Sequence, residues 1–311
     1  MKPAEAAIPF RRLRAGGALV VAGDDRQLPP IVQGEYPDPP QGEPILHRSL
    51  FECLRRPDEH GHWTATLLEN WRMNETLCRY PAQQVYVPDY RSATKSIAAR
   101  ALALSSIEGP QSLADTLIDP EYPLVVGVLD GVRAAAENRI EAALVSAAAT
   151  RMRARLPEVV DDSDFWRHRL FIVSPHHAQI HAIRRQLKAE REWTSDPFVD
   201  TVDRMQGQEC DAVIVSYGVS DVEYALQEAA FIYGLNRLNV AITRARAKTI
   251  VFLPRPLIEP PIQAYEDETI AEGVAFMQGL VQFAQRNGQT SEYALEAGAR
   301  LTLHRVAAAR V

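Results

Sequence analysis

The feature that most constrains this chain is a series of short, unbroken apolar runs separated by longer stretches with helical periodicity. Ala18–Ala22, Thr64–Leu68, Leu124–Leu129, Leu170–Val173, Ala212–Tyr217 and Ile250–Leu253 read as strands. Arg139–Arg155, Ala178–Arg191 and Glu223–Gly234 read as helices between them. Strand, helix, strand in this rhythm points to crossover units and a mostly parallel sheet. Strands without a polar face are buried on both sides, so helices should cover both faces. The expected class is α/β.

Other stretches punctuate the pattern. Pro29–Pro44 holds six prolines and two glycines and should be irregular. The acidic cluster Asp161–Asp164 reads as a solvated turn ahead of the strand at Leu170 rather than a metal site. Beyond Pro254 the pattern becomes a helical tail, roughly Tyr265–Arg286, followed by a weak terminal segment. There is no internal repeat and no low-complexity tract.

Composition narrows the function classes. A chain of 311 residues that is 46% hydrophobic and 24% charged has the makeup of a globular protein with a real core. No run of 18 or more apolar residues occurs, so no membrane span is expected. The start has no apolar segment of signal-peptide type. Three scattered cysteines, Cys53, Cys78 and Cys210, make neither a disulfide frame nor a zinc site, and point to a reducing, cytoplasmic setting. The net charge of −6 argues against a blanket electrostatic grip on nucleic acid, but leaves room for a locally basic groove. Lysine occurs only at Lys2, Lys95, Lys188 and Lys248, so 30 of the 34 basic residues are arginine. Arginine suits phosphate, and compositional bias explains the skew as well.

Four strings carry candidate chemistry. Gly23-Asp24-Asp25-Arg26-Gln27-Leu28-Pro29-Pro30 follows an apolar run, at the strand edge where open α/β sheets bind ligands. Gln27 could hydrogen-bond a phosphate or a water, or the string could be a plain turn. Leu68-Glu69-Asn70-Trp71-Arg72-Met73 pairs an aromatic ring able to stack with a guanidinium able to fork onto phosphate; core packing beside a surface charge is the plainer reading. Thr201-Val202-Asp203-Arg204-Met205-Gln206-Gly207-Gln208-Glu209 offers a hydroxyl for a backbone phosphate, a glycine for close approach and a carboxylate for ribose hydroxyls, or else a polar turn. Arg237-Leu238-Asn239-Val240-Ala241-Ile242-Thr243-Arg244-Ala245-Arg246 crowds three arginines together, facing either an anion or solvent. His177 and His181 stand one helical turn apart, but no third ligand accompanies them, so a helix surface is the reading there.

In order and spacing these strings resemble motifs III, IV, V and VI of superfamily 1 helicases, the ATP-driven motors that walk on single-stranded nucleic acid, in the branch that moves 5′ to 3′. The resemblance covers roughly residues 1–254. It implies a RecA-like sheet of the P-loop NTPase type, with 1–50 a remnant of a first RecA-like domain, 51–256 a second, and 257–311 a helical C-terminal extension. By the same resemblance Gln27 senses the γ-phosphate, Trp71 stacks on adenine where the family usually has tyrosine, and Arg72 lies near the γ-phosphate. Gly207 and Glu209 belong to the nucleotide side, Thr201 to the nucleic acid, and Arg244 is the arginine finger. Phe171-Ile172-Val173-Ser174-Pro175-His176-His177-Ala178-Gln179 resembles a family strand ending in Pro-Tyr-x-x-Gln, with His176 in place of tyrosine. Asn138-Arg139-Ile140-Glu141-Ala142 resembles its Asn-x-x-Glu-Ala segment. ATP with Mg²⁺ is the implied cofactor, and single-stranded DNA or RNA the implied partner.

The sequence departs from the family in one respect. No Gly-x-x-x-x-Gly-Lys-Thr/Ser loop and no Asp-Glu-Ala-x-Gln string is present. In the family the carboxylate string lies about thirty residues ahead of the motif that here starts at Gly23, which is preceded by only 22 residues. The expectation is a chain that begins mid-domain, needs a missing N-terminal helicase half, and leaves its first fifty residues poorly packed. The alternative is a non-catalytic, degenerate helicase module that binds single-stranded nucleic acid or a partner protein. An unrelated nucleotide enzyme on the same fold is disfavoured by four motifs in order.

Overall fold

A computed structural model describes residues 3–30, 49–55, 63–107, 111–157 and 160–310. The chain divides into two compact units, Met1–Leu67 and Leu68–Val311. The division falls later than the expected boundary at residue 50.

In the first unit, helices run over Pro3–Arg12 and Leu50–Arg55. Ala18–Ala22 forms no strand, and residues 8–20 are exposed. Apolar composition alone does not make a strand; a ladder partner is needed. Most of the proline-rich stretch, and with it much of the expectation about the first fifty residues, lies outside the described residues.

The second unit is built on a sheet of seven strands. A separate parallel pair is formed by β1 (Glu69–Asn70) and β2 (Arg91–Ser92). The main sheet holds β3 (Leu124–Asp130), β4 (Leu170–Val173), β5 (Val199–Asp200), β6 (Cys210–Ser216), β7 (Ala245–Pro254), β8 (Gly288–Ala294) and β9 (Arg300–Val306) in the order β5-β4-β6-β7-β3-β9-β8. The first five in that order are parallel; β9 and β8 join antiparallel. This is the α/β sheet flanked by helices that the sequence pattern anticipates, and β4 matches the reading residue for residue. The expected strand Thr64–Leu68 is not one, and the pairing residues are the next two, Glu69 and Asn70. The expected helix Glu223–Gly234 is two short ones, Val222–Gln227 and Ala229–Ile232, broken at Glu228.

The C-terminal segment corrects the expectation of a wholly helical extension. A helix does span Glu268–Asn287, but β8 and β9 follow and close the sheet edge. Leu301, Leu303 and Val306 are buried along β9, so these residues complete the core rather than extend from it.

Central strands are buried on both faces, which accounts for their continuous apolar runs. One core gathers Val125, Leu170, Ile172, Ile214 and Ile250 under Ala142, Val145, Ile180, Ile183 and Leu187 of helices Arg139–Ala154 and His177–Glu190. Alternate residues such as Val126, Phe171, Val213 and Val251 are equally buried and, by the two-residue period, face the other way. Helix Glu268–Asn287 packs on β3, β9 and helix Leu235–Ile242. Among the described residues no helix is long and apolar enough to cross a membrane.

A buried polar network ties the starts of two helices to the C-terminal end of β6. The Asn138 side chain caps helix Arg139–Ala154 by accepting from Glu141 N. Gln179 Oε1 accepts from Asn138 N at 2.7 Å, and its Nε2 donates to Ser216 Oγ at 3.0 Å. Glu141 Oε1 accepts from Ser216 Oγ at 2.7 Å and from Gly218 N at 3.0 Å. Gly218 has φ +70°, and a Cβ there would come within 2.5 Å of the Gln179 side chain, so no other residue fits. Burial pushes the Glu141 carboxyl up from 4.5 to about 8, against the lowering effect of the Ser216 and Gly218 hydrogen bonds. A folded value above the unfolded one gives stability that is full below pH 4.5 and lost as the pH rises towards 8. Glu141→Gln keeps the Oε1 acceptor without the ionisation. Thermal unfolding should place it level with wild type near pH 4.5 and a few degrees higher in mildly alkaline buffer. A lower melting temperature at every pH would contradict a neutral Glu141.

Candidate functional site

Trp71 and Arg72 are positioned by a turn that the Asn70 side chain builds. Asn70 Oδ1 accepts from the backbone N of Arg72 and of Met73, both at 3.0 Å, while its Nδ2 donates to Met73 O at 2.8 Å. Such a turn needs the short amide side chain. Arg100 secures it from outside by donating to the carbonyls of Trp71 and Arg72. The indole of Trp71 is thereby left 65% exposed.

From that turn the Arg72 guanidinium reaches two other motif strings. Its Nε donates to Glu209 Oε2 at 2.8 Å, and its Nη1 donates to Thr243 O at 3.1 Å. The other Glu209 oxygen, Oε1, accepts from Arg246 Nη2 at 2.7 Å. Arg246 in turn meets Asp211, which pairs with Arg169 at 2.9 Å. Partial burial pushes the Glu209 carboxyl up, but the hydrogen bonds and charges of Arg72 and Arg246 outweigh it and hold it below its ordinary value. The result is a cluster with two guanidinium groups on one carboxylate, at the start of β6. An anionic ligand oxygen of matching geometry could compete with Glu209 for either arginine.

The remaining predicted residues are placed as follows. Gly207 has φ +79° with open space where a Cβ would be, so its backbone conformation, and not a close approach, is what calls for glycine. Thr201 ends β5 and opens the 3₁₀ turn Val202–Met205. Arg244 is buried, 3% exposed, and its carbonyl accepts from Cys210 N at 3.3 Å. The side chain that meets Glu209 from this string is Arg246. Gln27 belongs to the first unit, where its Nε2 donates to Asp24 Oδ2 at 2.9 Å. The structure therefore gathers Arg72 and Glu209 with the Thr243 backbone, sets Trp71 beside them, and leaves Gln27 in the other unit.

Arg246, Asp211, Arg169 and Arg100 are the residues that the sequence reading left without a role. Arg246 carried a signal, being one of three arginines in its string. Arg100 carried none, since its job is to hold two backbone carbonyls. Among the described residues no group of three or more histidine, cysteine or carboxylate side chains is disposed to hold a metal ion.

Comparison with known proteins adds a family. Residues 46–253 match the family model described as AAA domain. The chain is 27% identical over 256 residues to the DNA replication ATP-dependent helicase/nuclease dna2 of Schizosaccharomyces pombe, a match covering 77% of this chain and 17% of that protein. It is 28% identical over 236 residues to an uncharacterized ATP-dependent helicase of Methanocaldococcus jannaschii, covering 76% of this chain and 32% of the relative. It is 27% identical over 249 residues to the DNA polymerase alpha-associated DNA helicase A of Saccharomyces cerevisiae, covering 75% and 33%. The chain thus spans a third or less of the length of these relatives.

The Glu209 cluster is partly exposed, with side chains of Arg72, Arg246 and Glu209 at 29%, 32% and 41%. Removing its negative charge by Glu209→Gln is expected to cost about 1 kcal/mol in dilute buffer, with the loss shrinking markedly at about 0.5 M salt. Because the Glu209 value is depressed, its contribution exists above pH 4.5 and fades as the pH falls through the lower folded value. Urea unfolding of the two proteins at low and high salt measures this; a salt-independent difference would mean that packing, not charge, holds the cluster.

Proposed function

This chain belongs to the AAA domain family of superfamily 1 helicases, and from that premise we propose that it supplies one side of the ATP site of a helicase or translocase moving 5′ to 3′ along a single strand. The observation that carries this reading is the meeting of three strings at Arg72, whose guanidinium donates to Glu209 of one and to the Thr243 carbonyl of another. Random surface chemistry gives no reason for such a meeting.

In this reading Arg72 exchanges Glu209 for the γ-phosphate of ATP. Trp71 covers the adenine with its exposed indole, and Glu209, with Gly207 shaping its loop, turns to the ribose hydroxyls. Gln27 senses the γ-phosphate, and Arg244 acts as arginine finger once its buried side chain is turned out. Thr201 takes a backbone phosphate of the strand. ATP with Mg²⁺, when bound, supplies the phosphoryl transfer that drives movement. The two guanidinium groups fit the phosphate end of that ligand. The sequence holds no phosphate loop of the family type, and in this reading the full site, magnesium coordination included, is completed by an N-terminal helicase half. The names of two relatives favour DNA as the track. A reducing, cytoplasmic setting fits the three free cysteines.

One observation favours a second reading, a binding module without turnover: the candidate finger Arg244 is buried at 3% exposure. A fluorescent ATP analogue and a phosphate-release assay separate the two. The 311-residue chain is expected to bind the analogue weakly, to lose that binding on Arg72→Ala, and to show no strand-stimulated hydrolysis. Equal binding by wild type and Arg72→Ala would remove Arg72 from the phosphate. Robust hydrolysis would overturn the incomplete site, and no nucleotide binding beside firm strand binding would select the module.

A further inference from the structure

A second recess lies apart from the Glu209 cluster, where β4 and β5 end. It encloses about 620 Å³ and is lined by His176, Thr201, Asp203, Tyr224, Glu228 and Phe231 among others. That volume is of the size that takes a small organic group. Three aromatic rings converge there from different elements. His176 directly precedes helix His177–Glu190, Tyr224 lies on helix Val222–Gln227, and Phe231 on helix Ala229–Ile232. The break at Glu228 between the last two helices allows both rings to reach one recess. The imidazole centroid is 5.5 Å from that of Tyr224 and 6.2 Å from that of Phe231. The Arg237 guanidinium lies 4.2 Å over the Phe231 ring and steadies it.

Two features point to a ligand rather than to packing. His176 is only 7% exposed, yet its Nε2 has no hydrogen-bond partner among the described residues. A buried polar atom of this kind costs free energy unless something meets it. Burial also holds the imidazole below its ordinary pKa, with Glu228 pulling the other way. The second feature is the rim. Asp203 and Glu228 are exposed carboxylates at the recess. They repel a phosphate and tolerate an uncharged, flat, hydrogen-bonding group. Thr201 lines the same recess.

We propose that His176, Tyr224 and Phe231 form a stacking seat for one nucleobase of the single strand whose backbone passes Thr201. This rests on the reading that the chain tracks a single strand, and deepens it. The strand would be held by its base faces as well as by its phosphates, and without sequence preference, because every base has a π-face.

The test measures binding by fluorescence anisotropy at several salt concentrations. The probes are labelled oligo-dT, oligo-rU of the same length, and the matching strand with abasic sites throughout. Wild type is expected to bind its preferred intact strand about tenfold more tightly than the abasic one. Phe231→Ala should lose that preference and bind both strands as wild type binds the abasic one. The salt slope should stay unchanged, since the ring neutralises no phosphate. The abasic comparison on wild type stands even where the variant folds poorly. Equal wild-type affinity for intact and abasic strands overturns the seat, and so does a folded Phe231→Ala that weakens both strands alike. Failure of wild type to bind any strand overturns the tracking reading and the seat with it; an overturned seat with firm strand binding leaves the tracking reading standing.

Discussion

The second unit depends on one buried carboxyl. Glu141 accepts from Ser216 Oγ and Gly218 N, and Gln179 ties the same serine to Asn138. The network joins the starts of two helices to the end of β6. In a parallel sheet, strand ends are held by their crossover loops alone, because no hairpin partner steadies them. A buried polar network supplies rigidity there even though Asn138 Nδ2 and Glu141 Oε2 have no partner among the described residues, since moving its paired groups would strand further donors and acceptors away from water. His176 lies three residues ahead of Gln179 in this network, which preorganises whatever it meets.

The stretch Thr201–Glu209 gives the two candidate sites a common mechanical element. Thr201 opens it at the recess and Glu209 closes it in the arginine cluster. Between them the 3₁₀ turn is anchored by buried Val202 and Met205, and Gly207 takes the left-handed turn that delivers Glu209 to β6. The whole stretch is only nine residues long. Releasing Arg72 from Glu209 therefore acts on a short, internally braced loop rather than on a slack one. Energetic coupling of two sites requires an element that both can bias, and this loop is the one whose ends touch both.

How much of this was legible in the sequence follows from how each element earns its stability. β4 and β3 are buried on both faces, so their apolar runs announced them. β8 is an edge strand of sequence Gly288-Gln289-Thr290-Ser291-Glu292-Tyr293-Ala294 with mostly solvated side chains, and it owes its existence to pairing with β9. Nothing local marks such a strand. β9 did carry an alternation, with Leu301, Leu303 and Val306 inward, masked by the neighbouring helical pattern. Ala18–Ala22 has the composition of a strand but no ladder, in keeping with the expectation that this run is orphaned and lacks sheet partners. At the site, Arg72 and Glu209 were legible through their strings. The burial of Arg244 was not, because a motif states which residue types occur together and not which of two nearby arginines faces outward. Tyr224 and Phe231 gave no signal, since only the break at Glu228 brings them to one recess.

The two arginines on Glu209 also explain how a site can be ready for phosphate without one. Two guanidinium groups alone would repel each other, whereas a shared carboxylate offsets half of their charge and holds both forks in place. The arrangement is only partly exposed, so it is strong enough to orient Arg72 and weak enough for a phosphate oxygen to displace. A fully buried pair would lack the second property, because breaking it would leave a charge uncompensated in the interior. Partial exposure of Glu209 is thus the physical condition that the proposed role of Arg72 requires, a structural tie that a phosphate oxygen can replace.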